Sequence, residues 1–259
     1  MNLEKYFTGA TIPHIYFKDY KNEEFNFDFW ERQVEIVNVF TEEIIRGDIA
    51  IQDGIIAGIG SFHGKEERDL AGRYVCPGFI DSHLHLESTL VTPAELVTAA
   101  SRHGTTTFIV DPHESANVSG LAGIDYILDQ TEDVKANVYV MMPSCVPATA
   151  IDDNGCTLTA EDMVPYLHNS RILGLGEVMD SISVVQGEKS MHDKLELFEG
   201  RIRDGHAPFL EEGDLQAYAM AGIATDHECS FFDYAMRERR NGLTILVREG
   251  SAARNLEAL

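Results

Sequence analysis

A chain of 259 residues with 44% apolar side chains is long enough for one large domain, or one large and one small, and its core needs no disulfides. Its 43 acidic against 20 basic residues, a formal net charge of -23, exclude a nucleic-acid binder, because phosphate recognition needs a basic face. The four cysteines, Cys76, Cys145, Cys156 and Cys229, form no CxxC pair, which points to reduced thiols and a cytoplasmic setting, and no apolar run reaches the ~18 residues of a membrane span.

Residues 1–32 form a leader. Its first 30 positions are polar and aromatic, with acidic clusters between Lys18 and Asp28, and read as irregular or partly helical; they show no signal-peptide pattern. Residues 33–76 form a small β-rich module. Val34 to Val39 alternates apolar and polar, and the runs 48–52 and 55–60 flank Asp53-Gly54, a strong hairpin signal.

From residue 77 to 259 the pattern becomes strand–helix–strand–helix. The first strand spans 78–83, and Thr92-Pro93-Ala94-Glu95 opens a helix with Thr92 as N-cap and Glu95 as capping-box partner, closed by Gly104. Strands follow at 105–111, 137–143, 172–178 (after a helix capped by Thr159), 200–206, 221–227 and 243–248. Helical stretches such as 230–240 fill the gaps, so the expected class is α/β with a parallel sheet.

Polar residues cluster at the C-terminal end of strand after strand: His83/His85, Asp111/His113/Glu114, Glu177, His206, Asp226/His227 and Arg248/Glu249. A (β/α)8 TIM barrel gathers its site at that end, whereas an open doubly wound sheet has one switch point. The expected fold is therefore a (β/α)8-type barrel with a small N-terminal β-sheet module. From Phe79 to Leu259 only about 180 residues remain against the usual ~250, and seven strands are legible. The barrel is expected to lack its eighth strand, with the chain stopping in a helix that Ser251 caps. It reads as a fragment, a truncated product, or a chain completed by a partner, either a second copy or a complementing C-terminal chain.

Two histidines at i and i+2 on an extended strand point to one side, where their imidazoles suit a divalent metal. His83 and His85 fit this pattern, and His206 and His227 each end a later strand. Glu177, after the apolar run at 173–175, adds a carboxylate able to bridge two ions. Asp111, His113 and Glu114 are expected to line the substrate pocket or orient ligands, as are Asp226 and Glu228 beside His227. Arg248 and Glu249 suit a salt bridge at the rim as well as they suit substrate contact. Met141 and Met142 suit the core.

The segments PGFIDSHLHLES, GTTTFIVDPHESANVSG, LGLGEVMD, DGHAP, AGIATDHE and REGSAARNLEAL, spread over residues 34–259, resemble the bacterial-type adenine deaminases of the amidohydrolase superfamily. The resemblance implies a two-metal site of manganese, iron or zinc. His83 and His85 bind one ion, Glu177 bridges, and His206 and His227 serve the second, with Glu177 and His227 as the catalytic pair. Metal-activated water would then hydrolyse the exocyclic amine of adenine, a small purine, to give hypoxanthine and ammonia. The family's eighth-strand aspartate and its long C-terminal region are not in this sequence. Another cyclic amidohydrolase, or an inactive truncated homologue, stays open.

Overall fold

The structure, a computed structural model, describes residues 29–149 and 151–259. The chain divides between Gly78 and Phe79 into two compact units. In the first, β1 (Phe29–Asn38) pairs antiparallel with β2 (Glu43–Gln52), which pairs antiparallel with β3 (Ile55–Gly60). Asp53 and Gly54, both at positive φ (52° and 76°), make the tight turn between β2 and β3, where Asp and Gly tolerate the left-handed backbone. Two short strands, β4 (Glu67–Asp69) and β5 (Tyr74–Val75), run parallel to β1. Alternation along β1 buries Val34 and Ile36, which pack with Ile49, Ile51, Leu70 and Val75. The irregular or helical reading of residues 1–30 lies outside the described residues except at Phe29 and Trp30, which are extended in β1.

The second unit repeats strand and helix. β6 (Phe79–Leu84) leads to α1 (Pro93–Ser101), then β7 (Thr105–Val110), α2 (His113–Ser119) and α3 (Leu121–Gln130). β8 (Asn137–Met142), α4 (Ala160–Met163) and β9 (Ile172–Val178) follow. Next come α5 (Ser181–Gln186), α6 (Lys189–Leu197), β10 (Ile202–Gly205), α7 (Glu212–Met220), β11 (Thr225–Asp226), α8 (Phe232–Arg240) and β12 (Thr244–Ile245).

β6 to β10 form one parallel sheet in strict chain order, and β11 and β12 pair parallel beside them. Ala224 N donates to Arg203 O at 3.0 Å, carrying the wall from β10 towards β11. Seven parallel strands in sequential order, with helices between them, make the partial wall of a (β/α) barrel. Alternate positions bury one apolar face of β7 and β8: Phe108 and Val110, and Val138, Val140 and Met142, are in the core, as is Leu175 of β9. Ile124 and Ile127 of α3, Leu195 of α6 and Leu215 of α7 cover them. Among the described residues no helix is long and apolar enough to cross a membrane.

Two sequence expectations are corrected. Thr92 and Pro93 occupy the predicted N-cap and first helical positions, but Thr92 makes no side-chain cap. Thr92 and Glu95 are both exposed, where water serves in its place. A reciprocal capping box forms instead at Thr159 and Asp162, ahead of α4. The helix expected from Ser251 is absent: Glu249 and Arg254 form an isolated antiparallel bridge, and Asn255 N donates to Arg248 O at 2.8 Å. Backbone N–H groups here bond to nearby carbonyls outside any helical ladder: Gly250 N donates to Ala253 O at 2.9 Å and Ala258 N to Asn255 O at 3.0 Å.

Candidate metal centre

β6 delivers His83 at its end and His85 one residue beyond it. Leu84 between them packs on the core, so the period of two puts both imidazoles on the opposite side. The Nδ1 atoms face fixed partners. His83 Nδ1 lies 2.9 Å from Asp204 Oδ2, and His85 Nδ1 donates to the Asp111 carbonyl at 2.9 Å. A carboxylate and a carbonyl only accept, so the Nδ1 atoms carry protons, and the Nε2 atoms are the ones left to face an ion. Those two Nε2 atoms are 3.2 Å apart.

Glu177, near the end of β9, sits between the imidazoles with 1% of its side chain exposed. Its Oε1 lies 3.0 Å from His83 Nε2 and 2.8 Å from His85 Nε2. Its Oε2 lies 3.0 Å from His206 Nδ1 and 3.7 Å from His227 Nε2. His83 and His227 stack at 3.8 Å between ring centroids. The backbone fixes the glutamate: Glu177 N donates to Asp111 Oδ2 at 2.8 Å, and the Ser144 hydroxyl donates to Glu177 O. Gly176 makes the first of these contacts possible, since a Cβ there would stand 2.3 Å from Asp111 Oδ2.

The charges are strongly coupled. Burial by itself would raise the Glu177 carboxyl, but the close imidazoles of His206, His83 and His85 outweigh it and hold the group far below the usual carboxylate range. Burial opposes charge on His83, yet Asp204 and Glu177 outweigh it and push its pKa up to about 10. The same contest, won by Glu177, lifts His85 to about 9. His227 goes the other way, down to about 3, because burial and then the neighbouring charge on His83 disfavour its proton. Protons and divalent cations compete for the same nitrogen lone pairs.

These residues fit divalent ions. Asp111 Oδ1, His113 Nδ1 and His227 Nδ1 are buried with no hydrogen-bond partner. Three donor groups suit an ion: His83, Glu177 and His227; His85, His113 and Glu177; and His206, His227 and Glu228.

The structure therefore brings His83, His85, Glu177, His206 and His227 into one cluster, with Asp111 and His113 at its edge: His113 Nδ1 is 3.6 Å from Asp111 Oδ1 and 3.8 Å from Glu177 Oε1. Glu228 joins from the other side, 3.8 Å from His227 Nε2 and 4.0 Å from His206 Nδ1, and Arg248 pairs with it. Asp226 belongs to none of the imidazole groups; it is buried and accepts backbone N–H from Ala207, Glu228 and Cys229. Glu114 is exposed and takes the Ser88 hydroxyl.

Sequence reasoning missed Asp204 and Ser144. Asp204 stands two residues before His206, so the same period of two that flagged His83 and His85 was available to find it. Ser144 carries no signal of this kind.

Comparison with known proteins is consistent with this cluster. The pattern of the amidohydrolase family matches residues 74–251. An adenine deaminase of Desulfitobacterium hafniense (strain Y51) is 58% identical over 228 residues, which cover 88% of this chain and 40% of that protein. An adenine deaminase of Clostridium acetobutylicum is 49% identical over 230 residues, again 88% of this chain and 40% of that protein. The chain thus spans about 40% of the length of these curated relatives. In fold it is similar to a β-aspartyl dipeptidase from Fervidobacterium islandicum AW-1 (TM-score 0.55, 14% identity, 86% of this chain and 65% of that one). It is also similar to atrazine chlorohydrolase from Arthrobacter aurescens TC1, solved with zinc (TM-score 0.53, 15% identity, 88% of this chain and 73% of that one). With the family pattern running from the end of the small sheet to beyond β12, the chain belongs to the amidohydrolase family.

Proposed function

We propose that this chain provides the two-metal centre of an adenine deaminase, which hydrolyses the exocyclic amine of adenine to hypoxanthine and ammonia. The observation that carries this reading is Glu177, one buried carboxylate whose two oxygens each face two of four imidazoles. The adenine assignment is supported by relatives of that name at 58% and 49% identity. His83 and His85 would hold one ion, His206 and His227 the other, and Glu177 would bridge them. Ions of the manganese, iron or zinc type supply Lewis acidity there, lowering the pKa of water and stabilising developing negative charge.

The remaining roles fall to the chain's own groups. Asp204 and the Asp111 carbonyl hold the imidazoles of His83 and His85 in the tautomer that presents Nε2. His227 and Glu177 orient the reacting side. Glu228, half-buried, clamped by Arg248 and 3.8 Å from His227 Nε2, is our candidate for the carboxylate that takes and returns a proton. Asp111 and His113 support Glu177, and Glu114 with Ser88 stands at the rim, where a purine enters. The free cysteines suit a cytoplasmic setting, and a second copy or a complementing chain would extend the wall.

Metal analysis combined with adenine turnover tests this. It is to be run on the chain as it stands and on the chain joined to the C-terminal part of a relative. Ammonia release from adenine in either form, dependent on bound metal, is expected. Bound metal with hydrolysis of dihydropyrimidines in place of adenine would overturn the substrate, and absence of bound metal would overturn the centre.

A further inference from the structure

A second group of donors lies on the segment that follows β11. Asp226 ends β11, Cys229 is three residues further on, and Glu238 projects from α8. Their exposures are 0%, 1% and 0%, and one donor atom from each lies within 4.8 Å of the others.

The hydrogen bonds around this group leave it electron-rich. Asp226 Oδ1 accepts from Ala207 N at 2.7 Å, and Oδ2 accepts from Glu228 N and Cys229 N at 2.9 and 3.1 Å. Cys229 Sγ lies 2.9 Å from Glu238 Oε2. Glu238 Oε1 is buried and has no hydrogen-bond partner. Tyr234, on the same helix, directs its single hydroxyl proton at Ala207 O. Among the described residues no lysine, arginine or histidine forms an ion pair with Asp226 or Glu238.

A buried carboxylate in such a place either keeps a proton or meets a cation. Asp226 and Glu238 bring two buried carboxylates within 4.8 Å of each other, which concentrates a negative field there. A proton on Glu238 relieves that field, and Asp226 can accept it. A divalent ion relieves the field and engages Oε1 as well.

We propose that Asp226, Cys229 and Glu238 form a further metal site, separate from the imidazole centre, that takes a zinc-like divalent cation. One sulfur and two carboxylates make a donor set suited to zinc, with a water completing four-coordination. Binding displaces the Cys229 thiol proton to solvent, since a coordinating thiol is deprotonated. The ion ties α8 to the segment carrying His227 and Glu228, so its role is to position those two residues.

Cobalt(II) loaded into the whole chain tests the site by its colour. Among the described residues this is the one candidate donor group that includes a cysteine, so a sulfur-to-cobalt charge-transfer band reports it and not the imidazoles. The band is expected in the unaltered protein and absent from Cys229→Ser. Glu238→Gln, which keeps the shape and removes the charge, is expected to bind about one equivalent less metal. Should Cys229→Ser fail to fold, survival of the band in Cys76→Ser, Cys145→Ser and Cys156→Ser assigns it to Cys229. An unaltered protein with no such band, and equal metal content in Glu238→Gln, would overturn the proposal and leave the site holding a proton. Neither readout depends on adenine turnover.

Discussion

Replacing Asp204 by Asn tests how the imidazole centre is held. One oxygen of Asp204 faces His83 Nδ1 at 2.9 Å, and the other accepts from Gly205 N at 3.0 Å and from the Thr225 hydroxyl. Its side chain is 6% exposed, so water offers little replacement. An amide has one acceptor and one donor end. If its oxygen stays with Gly205 and Thr225, its NH2 meets His83 Nδ1 and drives the ring proton to Nε2, the atom that should bind the ion. If it turns round, its NH2 meets two donors. Losing an outer partner of a metal-binding histidine costs about 10- to 100-fold in metal affinity. At about 1.4 kcal/mol per tenfold, that is about 1.4–2.8 kcal/mol, and the tautomer conflict places Asp204→Asn near the upper figure. Competition against a coloured chelator measures the affinity, and nitrogen NMR of labelled histidine reports the tautomer. Affinity within about twofold of the unaltered chain, with the His83 proton still on Nδ1, would refute the reasoning.

Gly176→Ala would drive a methyl group into Asp111 Oδ2, breaking the bond that holds Glu177 N, and is expected to lower metal affinity at least about tenfold in the same competition assay. Leu175→Ala, at 0% exposure in the core of the second unit, should cost about 2–5 kcal/mol in a denaturant melt, whereas Phe40→Ala, at 80% exposure, should stay within about 0.5 kcal/mol. Chelation should lower the melting temperature of the metal-loaded chain, and added manganese, iron or zinc should restore it, because an ion bound only by the folded state stabilises it by mass action. An unchanged melting curve after complete metal removal would count against the imidazole centre.

Much of the wall was legible in the sequence because its strands are β-branched and apolar, as β7 (Thr105–Val110) shows. The later strands are shorter than their patterns: β11 covers Thr225–Asp226 within the run 221–227, and β12 covers Thr244–Ile245 within 243–248. Ile223 and Leu243 explain the difference, since both are core residues outside the ladders. Apolar character reports burial, and it does not report which backbone groups pair. The same limit applies at the centre. Period two showed that His83 and His85 share a side. Nothing in the order DPHE revealed that Asp111 would be buried against Glu177 N while Glu114 stayed exposed beside Ser88. Direction past a strand end depends on where the chain turns, which is a property of the packed structure.

The strict order of β6 to β10 also bears on how the molecule comes into being. Each strand pairs with the one made just before it, so no ladder of this sheet needs a strand made much later. The donors do not arrive that way: His83 and His85 emerge early, Glu177 and His206 later, and His227 last. An ion held by all of them would therefore be captured after the wall is laid and would fasten an arrangement already in place.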